Sequence, residues 1–153
     1  MRILLFCLAV GLLCFGCSQK ETAVKKEKSL LIGTWKMYQG MTVEGQDSLV
    51  TDYTKDQEFI KIINKTHFSF LRHDLNKGVD STNAVFVAGG GRYTVKENTY
   101  TESLDYCNYR AWEGHKFEMQ FEIKGDTLIT RGIEKVEELN VDRVNIEKYL
   151  RVK

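Results

Sequence analysis

In Tyr100-Thr101-Glu102-Ser103-Leu104-Asp105-Tyr106 a carboxylate stands between aromatic residues, and Tyr100, Glu102, Leu104 and Tyr106 share one face of an extended chain. If that face turns inward, Glu102 is a buried carboxylate that needs a cation or hydrogen-bond donors. Arg92, Lys61, His67 and Arg151 are its candidate partners. Other reactive side chains are scattered. His67, His73 and His115 lack the spacing of a metal site and have no partner for general acid or base work. Cys107 in Asp-Tyr-Cys-Asn-Tyr has no neighbouring histidine to make a thiolate and reads as a loop or core cysteine. Asp74, Asn76 and Asp80 lack the glycine and terminal glutamate of a calcium loop. Gly89-Gly90-Gly91 precedes the strand-like Arg92-Tyr93-Thr94-Val95 rather than a helix, so it predicts a β-bulge or bend and not a phosphate cradle. No metal, cofactor or catalytic constellation is expected.

The elements that must position these residues are short and β-like. Stretches rich in Phe, Tyr, Val, Ile and Thr alternate with polar residues between Gly, Asn and Asp turns. Strands are predicted at 33–39, 57–63, 66–72, 84–88, 91–96, 99–106, 116–124, 126–132 and 145–152. In 117–123, Phe117, Met119, Phe121 and Ile123 lie on one face and Glu118, Gln120 and Glu122 on the other. Lys124-Gly125-Asp126-Thr127 then turns into Leu-Ile-Thr, a hairpin; Glu97-Asn98 and Asn64-Lys65 join two further pairs. The segments 40–56 and 73–83 read as exposed loops, and 133–144, poor in apolar residues, as a short helix or polar loop. Successive hairpins without a long helix describe an all-β antiparallel up-and-down β-barrel of about 8 to 10 strands. Closure removes the sheet edges that an open sheet would expose.

Ahead of the barrel the chain has a different character. Residues 1–16 carry one positive charge, Arg2, then an apolar run ending in Gly16, the pattern of a secretory signal peptide. The run is shorter than the roughly 20 residues of a membrane-spanning helix. A small residue followed by cysteine resembles a lipobox, which predicts that Cys17 is lipidated and becomes the mature N-terminus, although Cys14 stands where such patterns usually have leucine. Residues 17–29 then form a polar tether, and 30–153 the folded domain. Loss of Cys7 and Cys14 and lipidation of Cys17 would leave Cys107 unpaired, so stability must come from the core. Removal of residues 1–16 takes away Arg2 alone and leaves 21 basic residues against 21 acidic ones. That neutral balance, without a basic cluster, argues against nucleic acid as a partner.

Two parts of the chain carry a family resemblance. Leu30-Leu31-Ile32-Gly33-Thr34-Trp35-Lys36-Met37 and the terminal Tyr149-Leu150-Arg151-Val152-Lys153 resemble the lipocalin-like members of the calycin group. There a Gly-x-Trp element opens the first strand and a basic residue on the last strand lies across the indole. The resemblance implies that Gly33 and Trp35 begin the barrel and that Arg151 closes it. Lys61 to Phe70, Val87 to Glu102, Ile123 to Ile129 and the C-terminal block together resemble uncharacterised lipocalin-like lipoproteins of Gram-negative bacteria. This implies an outer-membrane lipoprotein, facing the periplasm or the surface, and no established activity.

Three functions compete. The first is a binding protein for a small hydrophobic or amphipathic molecule, with Tyr93, Tyr100, Tyr106, Phe117 and Phe121 as barrel wall and Glu102 with Arg92 or Arg151 orienting its polar end. The second is a protein-protein interaction module, an envelope assembly factor or inhibitor, with a filled barrel and an apolar patch around Met41, Val43, Leu49 and Val50. The third is an enzyme using Glu102 or His67, which nothing in the sequence requires.

Overall fold

The structure is a computed structural model and describes Lys28 and residues 30–153. The expected signal peptide, Cys17 and, Lys28 apart, the tether lie outside the described residues. Nine antiparallel strands follow in chain order: β1 (Gly33–Glu44), β2 (Asp47–Asp52), β3 (Gln57–Ile63), β4 (His67–Asp74), β5 (Phe86–Lys96), β6 (Thr99–Cys107), β7 (Lys116–Lys124), β8 (Thr127–Val136) and β9 (Val141–Arg151). Each strand from β3 to β9 pairs with the next, and β9 returns to pair with β1. On its other edge β1 pairs first with β3 and then, through its outer half, with β2. The result is a closed eight-stranded antiparallel barrel with the β1–β2 hairpin raised on one rim. Among the described residues no helix is long and apolar enough to cross a membrane.

Several strands are longer than their apolar pattern predicts. Residues 40–56 are not simply an exposed loop: β1 runs to Glu44, Gly45 turns with φ +60°, and β2 returns. Residues 133–144 are mostly strand rather than helix or loop, because β8 continues to Val136 and β9 begins at Val141. Between them lies one 3-10 turn, Glu137–Leu139, closed by Asn140 in the left-handed region. The charged residues here remain extended because they pair across the strands, Glu134 opposite Arg143 and Lys135 opposite Asp142. The predicted strands 84–88 and 91–96 are one strand, with a register shift at Gly90/Gly91. Asp105 is the extra residue on the β6 side of that bulge. A Cβ on Gly91 would stand 1.9 Å from the Ser103 carbonyl oxygen, so only glycine lets the two backbones meet there.

One end of the barrel is packed solid. Leu31, Trp35, Tyr100, Leu128 and Tyr149 are almost fully enclosed, with Met37, Ile63, Phe68 and Tyr93 around them. Trp35 lies opposite Arg151 in the β1–β9 ladder. The Arg151 guanidinium sits 4.0 Å from the centre of the indole ring, and it donates hydrogen bonds to the carbonyls of Ile32 (2.9 Å) and Leu30 (2.6 Å). Trp35 Nε1 donates to the Leu31 carbonyl at 2.8 Å. Gly33, at φ +150°, makes room for the guanidinium, since a Cβ there would lie 2.6 Å from Arg151 Nη1. First and last strands are thus joined by a stacked cation as well as by the ladder.

If this closure acts as a unit, Trp35→Ala should cost about 3–5 kcal/mol, and the Trp35→Ala/Arg151→Ala pair should couple by about 1–2 kcal/mol in urea denaturation. Additive losses would show that the stacked pair contributes nothing beyond its separate contacts.

Candidate functional site

The opposite end of the barrel is hollow. A cavity of about 490 Å³ opens between the β1–β2 hairpin, the Glu134 and Arg143 levels of β8 and β9, and the 3-10 turn Arg110–Trp112. Its apolar wall includes Met37, Phe59, Phe70, Leu104, Phe117 and Met119. Trp112 stands at the mouth, its ring 6.0 Å from that of Phe117 and 5.7 Å from the Arg143 guanidinium.

The remaining wall is polar and comes mainly from β9. Alternation on that strand turns Arg143, Asn145, Glu147 and Tyr149 inward in sequence from mouth to floor, while Val144 and Ile146 face out. At the floor, Lys61 of β3 donates to Glu102 of β6 at 2.9 Å and reaches Glu147 of β9 at 3.4 Å. Lys61 and Glu102 are only 3% and 6% exposed. Glu147 Oε2 also accepts from Thr130 (3.0 Å) and Tyr149 (2.7 Å), and its Oε1 accepts from Asn145 (3.2 Å). Asn145 donates in turn to Glu134 at 2.9 Å, and Arg143 holds Glu134 Oε2 through Nε (2.8 Å) and Nη2 (2.7 Å). One chain of polar contacts therefore runs Glu102, Lys61, Glu147, Asn145, Glu134, Arg143. Arg72 of β4 also lines the cavity, its Nε bonded to Gln57 at 2.7 Å and its plane 5.1 Å from the Tyr53 ring centre.

The charges are set by this arrangement. Burial opposes the Lys61 ammonium, but Glu102 and Glu147 outweigh it and hold its pKa above the usual lysine value. Burial likewise opposes the Glu147 carboxylate, yet Lys61, Tyr149 and Thr130 bring its pKa below the ordinary value. Glu134 moves the other way: burial raises its pKa despite Arg143. Burial and then the neighbouring carboxylates, Glu102 and Glu147 respectively, push Tyr100 and Tyr149 well up. Among the described residues the Tyr100 hydroxyl is the enclosed side-chain polar atom with no partner of hydrogen-bonding geometry.

Of the residues singled out in the sequence, Glu102 and Phe117 line the cavity, with Tyr100 packed behind Glu102. Tyr93 and Phe121 are buried in the solid end; Tyr93 donates to the Asn64 carbonyl at 2.7 Å. Tyr106 does not join them. The bulge at Asp105 resets the alternation, leaving Tyr106 70% exposed and turning Cys107 inward. Arg92 is also outside, held by Asp105 through Nε (2.9 Å) and Nη2 (3.0 Å), and Arg151 is occupied at the closed end. Of the four candidate partners of Glu102 the cation it meets is Lys61. His67 is exposed and bonded to Thr66, and Asp74 accepts from the amides of Gly78 and Val85, ordering its loop. No cluster among the described residues could hold a metal ion. The sequence reading missed Glu147, Asn145, Glu134, Arg143 and Arg72; a polar residue at every second position from 143 to 151 was the available signal.

Lys61→Met would leave two buried carboxylates without their cation and should cost about 3–5 kcal/mol at pH 7. The Glu147 carboxylate, with a depressed native pKa, contributes stability above about pH 4.5 that is lost as pH falls through its native value. The stability gap between wild type and Lys61→Met or Glu147→Gln should accordingly narrow on acidification to pH 3, read by urea titration across pH. A gap independent of pH would place these carboxylates outside the stabilising network.

No known protein-family model matches the chain, and no characterised protein matches it, so the geometry of the cavity carries the functional reading.

Proposed function

We propose that this protein is a lipocalin-like envelope lipoprotein whose barrel binds a small hydrophobic or amphipathic molecule. The observation that carries the reading is the unfilled cavity. A barrel of eight strands can be packed with side chains, as this one is around Trp35 and Tyr149, or can hold one small ligand. A volume of about 490 Å³, bounded by apolar side chains on one wall and hydrogen-bonding groups on the other, is of the size and make-up of small-molecule sites. The lipid on Cys17 and a location at the outer membrane, periplasmic or surface-facing, rest on the sequence of residues 1–17. Acylation would keep the barrel beside a source of amphipathic molecules.

A protein-protein interaction module is the second reading, favoured by Leu49 and Val50, which stand 65% and 55% exposed on the raised hairpin. That reading expects a filled barrel, and the open cavity ranks it below ligand binding. Catalysis has less support, because Glu102 is engaged by Lys61 and His67 lies on the outer surface.

Native mass spectrometry of the gently purified domain, residues 20–153, followed by organic extraction, should show a reproducible bound mass. A clean ligand-free mass, with no small amphiphile retained after incubation with envelope extract, would turn the assignment toward protein partners. On the full chain, metabolic labelling with a fatty acid should mark the wild type and not Cys17→Ser; equal labelling would overturn lipidation at that residue.

A further inference from the structure

The hydrogen-bonding capacity left over in the cavity is unequal between its two ends. At the floor both oxygens of Glu147 are engaged, and toward the mouth both oxygens of Glu134 are. Glu102 is different. Its Oε1 accepts from Lys61, whereas its Oε2 accepts no hydrogen bond of good geometry even though the Tyr100 hydroxyl stands beside the carboxylate, and the Asn145 carbonyl oxygen accepts none either. Both residues line the cavity. At the mouth the free groups are donors: Arg72 uses only Nε, leaving both terminal nitrogens, and Arg143 has Nη1 to spare.

Charge follows the same division. Lys61 with Glu102 and Glu147 leaves the floor one positive charge short. The Glu134–Arg143 pair is neutral, and Arg72, which has no carboxylate partner among the described residues, carries the compensating positive charge at the mouth. The cavity is neutral as a whole but polarised along its depth. A buried carboxylate with an empty acceptor is costly, as is a guanidinium stacked on Tyr53 with two unused donors.

We propose that the cavity takes a small zwitterionic amphiphile, its ammonium group against Glu102 at the floor and its anionic group on Arg72 at the mouth. This rests on the ligand-binding reading and narrows it to one class of molecule. A simple fatty anion would satisfy Arg72 but lay its tail on a free carboxylate. A simple amine would satisfy Glu102 and leave Arg72 unmatched. The zwitterion fills both and brings no net charge into the barrel. Register sets the difference in depth: Arg72 stands opposite Phe59, two residues from Lys61, the partner of Glu102, so the two polar levels are separated by about 7 Å along β3. The charges of an α-amino acid sit too close together, and a chain of several methylenes between them fits, passing Phe59, Phe117 and Met119.

The test uses the full chain in nanodiscs, with empty nanodiscs as control, titrated calorimetrically with 6-aminohexanoate, hexanoate, hexylamine and hexan-1-ol. The zwitterion is expected to bind at least about tenfold more tightly than the other three, as each end adds a charge-assisted hydrogen bond. Glu102→Gln should reduce 6-aminohexanoate affinity about tenfold while leaving hexanoate unchanged; Arg72→Gln, on β4 and away from the buried floor, should weaken both acids and spare hexylamine. Hexanoate or hexan-1-ol binding as well as 6-aminohexanoate would overturn the zwitterion and leave the ligand-binding reading standing. Failure of all four probes, and of the longer 8-aminooctanoate, would overturn the zwitterion, and the ligand-binding reading falls with it only where the native mass is also ligand-free.

Discussion

A single buried ammonium organises the interior. Lys61, Glu102 and Glu147 come from β3, β6 and β9, strands spaced around the barrel, and their contacts cross its lumen. Below this strut the chain packs as a conventional core about Trp35, Tyr100 and Tyr149; above it the lumen stays open. The ions hold that boundary because each is costly to remove alone: loss of the lysine strands two carboxylates, and loss of a carboxylate leaves the lysine underpaired. The aromatic faces of Tyr149 and Phe68, 5.5 and 6.0 Å from the ammonium, complete its surroundings where no water-exposed partner could.

Such a strut demands a rigid frame, and closure of the barrel supplies it. Charges held in a low-dielectric interior need fixed partners, since a shift of an ångström weakens every contact at once. The β1–β9 ladder sets Glu147 opposite Gly40 and Tyr149 opposite Met37, so the strand that provides most of the polar wall is the one that completes the circle. Arg151 on Trp35 locks the same strand at its far end. Closure and cavity are therefore not separate devices: the register that places the guanidinium over the indole also fixes where Glu147 points.

Much of the architecture was legible because alternation is a direct consequence of the pleat. Phe117, Met119 and Phe121 are all buried on β7, between exposed polar residues. Trp35 and Arg151 could be named from a short motif and a basic residue near the end of the chain. The polar wall was harder to read because the usual assignment looks for apolar residues inside, and on β8 and β9 the pattern is reversed. Arg143, Asn145 and Glu147 turn in while Val144 and Ile146 turn out, so Ile133 to Val144 lacked the expected signature of a strand. Tyr106 misleads for another reason. Nothing in its own neighbourhood reveals the extra residue at Asp105, which is set by close approach to Gly91 on the partner strand. Choosing Lys61 among the four cations available to Glu102 required the register of strands 41 residues apart.

The reversed wall also explains how apolar side chains can stand outside without becoming an isolated liability. Ile133, Val144 and Val43 lie side by side across β8, β9 and β1, where cross-strand contact partly covers Val144 and Val43 while Ile133 stays exposed. The polar residues they displace inward gain partners there instead of water. That exchange is unfavourable for stability taken alone, since an apolar interior of equal volume would avoid the desolvation of five charged groups. An interior that keeps them, fully linked from Glu102 to Arg143 yet with free acceptors at one end and free donors at the other, has the makings of a binding surface rather than of a core.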